Sequence, residues 1–165
     1  MLTSTVAIYF AAPLFNEMER RFNRELVKEL EEFAVVFLPQ RDGGLMMELV
    51  RNGTAPQEAA QIVFGKDRRA MEEADLLIAV LDGAKIDEGV AFEIGYMFSL
   101  SKYCIGLQTD MRRALPTGNN PMIEASLSLI CDSPKMLISA VADFCANRQS
   151  REPSQFSTSR TVCPP

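Results

Sequence analysis

The chain has 165 residues, 47% apolar and 24% charged, which suits one globular domain with a sizeable core and excludes a wholly disordered or fibrous chain. Its 22 acidic and 17 basic residues leave a formal charge of -5, so it lacks the broad positive field needed to hold a nucleic-acid polymer. It contains no histidine, which excludes Ser-His-Asp and Cys-His hydrolysis and His-ligated zinc; carboxylates are then the candidates for any catalysis.

The first apolar, β-rich run is VAIYFA (6–11). No Lys or Arg precedes it and a capped helix follows, unlike a secretory signal. Asn16 with Glu19 makes a capping box, and Phe15, Met18, Phe22, Leu26, Leu30 and Phe33 keep helical spacing, so this stripe is expected in the core. A second strand, AVVFL (34–38), leads into PQRDGGLMMELVRNG (39–53), a connection long enough to suggest a binding loop. A second helix is expected from Thr54, with Pro56 in its first turn and Gln57 completing a capping box. DLLIAVL (75–81), a helix over 89–101, YCIGL (103–107), SLSLIC (126–131) and a helix over 134–147 complete the alternation. Residues 1–147 thus read as one domain and 148–165, which lack periodicity, as a flexible tail.

Five apolar strands with helices between them predict an α/β fold, a five-stranded parallel sheet flanked by helices on both faces. Ligands of such sheets bind beyond the carboxyl ends of the strands, here after Phe10, Leu38, Leu81 and Leu107. Cys104, Cys131, Cys145 and Cys163 show no CxxC spacing and read as reduced thiols of a cytoplasmic protein, and no apolar run is long enough to span a membrane.

Three acids stand out. Asp67 shares a helix face with Val63, Ala70 and Ala74. A carboxyl buried there would have a raised pKa and suit proton donation, unless Arg68 or Arg69 pairs with it or the helix breaks at Gly65. Glu93 lies on the edge of the stripe Val90, Ile94, Met97, so it is expected to be half buried, either as a reactive group or as a carboxylate favoured by the helix dipole. Asp87 acts from the loop before that helix, as a cap or as a ligand, and Glu88 faces solvent. Tyr9 reads either as half-buried packing or as a hydroxyl reaching the ligand crevice, and Arg112 and Arg113 either as solvated or as phosphate contacts. No GxGxxG or P-loop is present.

IYFAAPLF, an Asp eight residues before the third strand, DEGVAFEIGY, TD-RR and NNPM follow one another in an order that resembles the nucleoside 2-deoxyribosyltransferase family over about residues 5–147. The resemblance implies a flavodoxin-like fold. It makes Glu93 the nucleophile, Tyr9 the hydroxyl that orients it, Asp67 the group that moves a proton to and from the base, and Asp87 a ligand of the sugar hydroxyls. Asn120 and Met122 would complete the site of a neighbouring subunit, and the family's base-contacting loop after strand two points to Gln40, Arg41 and Asp42.

The implied reaction moves 2-deoxyribose between nucleobases through a deoxyribosyl-glutamate ester, with no cofactor and no metal. The implied partners are 2'-deoxyribonucleosides, free nucleobases and further copies of the chain, with no nucleic-acid polymer and no membrane. Two other readings compete: hydrolysis of 2'-deoxynucleoside 5'-monophosphates, hinted at by Arg112 and Arg113, and a non-catalytic nucleotide-binding module.

Overall fold

The computed structural model describes residues 5–113, 115 and 118–149. In chain order the elements are β1 (Ala7–Ala11), α1 (Glu17–Leu30), β2 (Val35–Phe37), a π-helical turn (Pro39–Gly43), α2 (Met46–Arg51), α3 (Pro56–Glu73) and β3 (Leu76–Val80). They continue with α4 (Glu88–Ser99), β4 (Tyr103–Leu107), α5 (Pro121–Glu124), β5 (Leu129–Cys131) and α6 (Pro134–Gln149). The strands pair in parallel in the order β2-β1-β3-β4-β5, the flavodoxin-like arrangement, and the order reverses between β1 and β3.

The pleat decides which side chain meets which helix. Ile8, Phe10, Leu76, Ile78 and Val80 point to the face covered by Leu26, Val27 and Leu30 of α1 and Leu137 and Val141 of α6. Tyr9, Ala11, Leu77, Ala79 and Leu81 point to the other, against Met71 of α3 and Val90, Ile94 and Met97 of α4. Each large apolar side chain buried there contributes about 1.5–3 kcal/mol relative to exposure. Gly106 in β4 sits under this packing: a Cβ there would lie 2.7 Å from Leu81 and 2.9 Å from Leu127.

Several local expectations change. The Asn16–Glu19 capping box forms, and Leu26 and Leu30 are buried as expected. Phe15 and Met18, however, are 72% and 76% exposed, and Phe33 is also exposed. Only the later turns of α1 lie on the sheet; at its start, Met18 and Phe22 border an open groove with Val80, Asp82 and Thr109. The capping box expected at Thr54 and Gln57 does not form. α3 begins at Pro56 after an Ala55 cap with no side-chain bond, while the Thr54 amide donates to the Leu49 carbonyl and closes α2. The connection 39–53 is not irregular but holds the π-helical turn and α2. Of the expected tail, residues 148 and 149 belong to α6 and 150–165 lie outside the described residues, as does Cys163.

Candidate active site

α4 starts where Asp87 accepts hydrogen bonds from the amides of Gly89 (2.9 Å) and Val90 (3.1 Å). From that start, Val90, Ile94 and Met97 fall on the buried face and Glu93 on its edge, half buried, with Glu88 exposed. β1 runs directly beneath. Tyr9 is fully buried, its ring stacked on Phe37 with centroids 5.6 Å apart, and its hydroxyl donates to Glu93 Oε1 at 2.5 Å. The tyrosine is thus gripped by packing and spends its one proton on the carboxylate.

Desolvation raises the Glu93 carboxyl to about 7; the Tyr9 hydrogen bond opposes this, and the charges of Asp67 and Asp87 add to it. Tyr9 is held well above the ordinary phenol range by burial first and by the charges of Glu93 and Asp67 next. Its proton therefore stays in place at any working pH, and it acts as a fixed donor.

Asp67 approaches from α3. Burial lifts its carboxyl to about 6, with nearby Lys66 pulling the other way. Its Oδ1 is shielded from solvent and has no hydrogen-bond partner among the described residues. Of the two neighbouring arginines considered as its partner, Arg68 turns instead to Glu72 at 2.6 Å. A buried oxygen without a donor is costly, and sites of chemistry are where such costs concentrate.

The remaining sequence candidates are placed differently. Gln40 binds α1: its Oε1 accepts from Asn23 (3.0 Å) and its Nε2 donates to the Arg20 carbonyl (2.9 Å). Asp42 accepts from the Leu38 amide (2.8 Å) and from Arg41 Nε (2.8 Å) and Nη2 (2.9 Å). Burial works to raise the Asp42 carboxyl, but these bonds prevail and hold it low. Both side chains build the turn after β2.

Asn120 caps α5 by accepting from the Met122 amide at 2.9 Å, and Asn120 and Met122 are both exposed. The neighbouring Asn119 is buried and exchanges two hydrogen bonds with Gln108, which ties this loop to the end of β4. Arg112 is clasped by Asp110, with Nε to Oδ2 at 2.7 Å, and Arg113 donates to the Asp110 and Arg112 carbonyls.

Sequence reading passed over two residues. Asn23, 2% exposed, links the loop after β1 to the turn after β2 through Pro13 O (2.9 Å) and Gln40; its polar side chain three residues before Leu26, on the buried stripe, was the available signal. Gly43, within PQRDGG, lies against Asp67. Among the described residues, no three acids or cysteines converge in a way suited to a metal ion, and no helix is long and apolar enough to cross a membrane.

The molecule is thus a flavodoxin-like domain carrying a Tyr-Glu-Asp constellation beside the reversal of its strand order. Residues 8–149 match the family model described as nucleoside 2-deoxyribosyltransferase, and the chain belongs to that family. A curated relative from Thermofilum pendens, named "Putative 2'-deoxynucleoside 5'-phosphate N-hydrolase 1", is 34% identical over 101 residues, which span 61% of this chain and 66% of that protein, just under two thirds of its length. Two solved structures share the fold. One is a conserved protein of Enterococcus faecalis V583, with a TM-score of 0.70 at 23% identity, covering 86% of this chain and 99% of the other. The second is a 2-deoxyribosyltransferase of Bacillus psychrosaccharolyticus, with a TM-score of 0.65 at 22% identity, covering 82% and 96%.

Proposed function

We propose that the protein transfers 2-deoxyribose between nucleobases, with Glu93 as nucleophile. The observation that carries this reading is the 2.5 Å hydrogen bond from the buried Tyr9 to a half-buried carboxylate, beside a second acid whose inner oxygen has no partner. In the first half-reaction Glu93 attacks C1' of the sugar. The C1'–N bond breaks, its electron pair goes to the base, and the base nitrogen takes the proton of Asp67. The product is a deoxyribosyl-glutamate ester and a free base. In the second half-reaction a nitrogen of another base attacks C1', the ester electrons return to Glu93, and the acceptor's proton goes to Asp67. Two inversions give net retention.

Tyr9 holds one carboxylate oxygen, leaving the other to attack. Asp87, at the helix start, is the candidate for the sugar hydroxyls, and Asn120 and Met122 on the exposed α5 are candidates for completing a neighbour's site. The working protonation state has Glu93 ionised and Asp67 protonated. Positive charge growing at C1' favours the first, and a base covering Asp67 favours the second.

A second reading, hydrolysis of 2'-deoxynucleoside 5'-monophosphates, draws on the name of the Thermofilum pendens relative. Against it, both arginines that follow β4 are engaged locally, Arg112 by the Asp110 carboxylate and Arg113 by the Asp110 and Arg112 carbonyls, and the ionised Glu93 would repel a phosphate dianion. Incubating deoxyadenosine or thymidine with a different free base should yield the exchanged nucleoside. Release of base from the 5'-monophosphate alone, with no transfer from either nucleoside, would replace this reading by the hydrolytic one.

A further inference from the structure

Asp67 owes its setting to a residue that carries no side chain. A Cβ built on Gly43 would stand 2.6 Å from Asp67 Oδ1 and 3.6 Å from its Cγ, closer to the oxygen than carbon and oxygen can approach. The two glycines of PQRDGG serve different needs. Gly44 has φ +93°, a left-handed conformation that side chains resist, so glycine is required there by the backbone. Gly43 is outside that range and is buried; glycine is required there by space.

We propose that Gly43 is a positioning residue for proton transfer: its bare α-carbon reserves the space in which the turn after β2 covers the Asp67 carboxyl and keeps its inner oxygen dry and unpartnered. This rests on the reading of Asp67 as the acid that protonates the departing base.

The turn that presents Gly43 is anchored at every step. Asn23 donates to Gln40 Oε1 at 3.0 Å, and Gln40 donates to the Arg20 carbonyl at 2.9 Å. Arg41 donates to Glu31 at 2.8 Å and to the Val36 carbonyl at 2.8 Å, and Asp42 accepts from the Leu38 amide. If a methyl group appears at position 43, this scaffold resists moving and the carboxyl, the free end of a flexible side chain, gives way. Gly43→Ala therefore folds, and what it changes is the place of Asp67. Gln40, Arg41 and Asp42 then bear on the reaction by fixing the backbone that covers the acid.

Two measurements on Gly43→Ala test this. The first is a carboxyl-carbon NMR titration of Asp67, which needs no activity. The Asp67 titration should move from near 6 toward the ordinary carboxylate range as the group leaves its covered position. An unchanged titration overturns the proposal.

The second compares deoxyadenosine with a 2-deoxyriboside whose leaving group departs as the stable 4-nitrophenolate ion. The variant should lose about 10²-fold in kcat on deoxyadenosine and less than about threefold on the activated donor, because only the first needs a proton from the protein. Adding Gly43→Ala to Asp67→Asn should cost less than about threefold further, since the step it serves is already gone. Equal losses on both donors overturn it. If the unaltered protein acts on no deoxyribosyl donor at all, the proposed function fails instead, and the titration still decides whether Gly43 governs Asp67.

Discussion

Two groups of acids gather near the carboxyl ends of the strands. Asp82 and Asp110, after β3 and β4, are supplied with donors: Asp82 accepts from the Thr109 amide (2.7 Å), the Asp110 amide (2.9 Å) and the Thr109 hydroxyl (2.6 Å). Asp110 accepts from the Arg112 side chain and amide and from the Gly83 amide, and it is held well below the ordinary carboxylate range, first by the Arg112 side chain. Among the described residues, the Glu93 carboxylate accepts one hydrogen bond, from Tyr9, and Asp67 has an inner oxygen with none; both are raised, first by desolvation. Acids with donors join loops. Acids short of donors lower the stability of the fold, and these two are the groups proposed to exchange a proton and to attack.

The largest effect should come from Glu93→Gln, which keeps the size of the side chain and its capacity to accept from Tyr9 but removes the proposed nucleophile. Exchange should fall by about 10³-fold or more, and the glycosyl-enzyme mass adduct should disappear. Retention of full exchange would end the contrast between the two groups.

Asp67→Asn should cost about 10²- to 10³-fold on natural nucleosides. On an activated donor the loss should be small, and the acid limb of the pH profile, set by Glu93, should move below 7, because the charge of Asp67 no longer helps to raise it. The same variant should be more stable than the parent. The folded-state carboxyl of Asp67 is raised to about 6 from 3.8, so its contribution is fully present below 3.8 and is lost as pH climbs through 6. Discounted for partial exposure, removing that penalty should stabilise by about 1 kcal/mol at pH 7.5 and shift Tm upward by roughly 2–4 °C. Thermal melts at pH 4 and pH 7.5 should show the gain only at the higher pH.

The smallest effect on rate belongs to Asp110→Asn. Its carboxyl is depressed, so its contribution is present above the unfolded-state pKa and is lost only as pH falls on through the lower folded-state pKa. Tm should therefore drop at pH 7, and the gap to the parent should narrow steadily as pH is lowered below the ordinary carboxylate range, with exchange kept within about twofold. A large loss of exchange would draw this group of acids into the reaction and erase the distinction.

Much of the site was legible because the signals were carboxylates in places that should be apolar. Glu93 on the edge of Val90, Ile94 and Met97, and Asp67 beside Val63, Ala70 and Ala74, were both visible from helical spacing. The strands were legible for the same reason, being apolar on both faces. The capping box of Thr54 and Gln57 was misread because a local motif competes with its neighbours: the Thr54 amide closes α2. The buried end assigned to α1 at Phe15 and Met18 was misread because periodicity gives the direction of a face, not how far along the helix the sheet extends.

The sequence by itself determined the alternation of strands and helices and the placing of two acids beside apolar helix stripes, because these follow from periods of 2 and 3.6 and from residue type; whether those acids find partners it left open. Only the tertiary structure decided that α4 crosses over the face of β1 that carries Tyr9, bringing residues 9 and 93 to 2.5 Å, and that the turn after β2 closes Gly43 over Asp67. Those contacts join elements remote in sequence, and no local period encodes them. They arise from the strand order β2-β1-β3-β4-β5 and from the packing that the parallel crossovers permit.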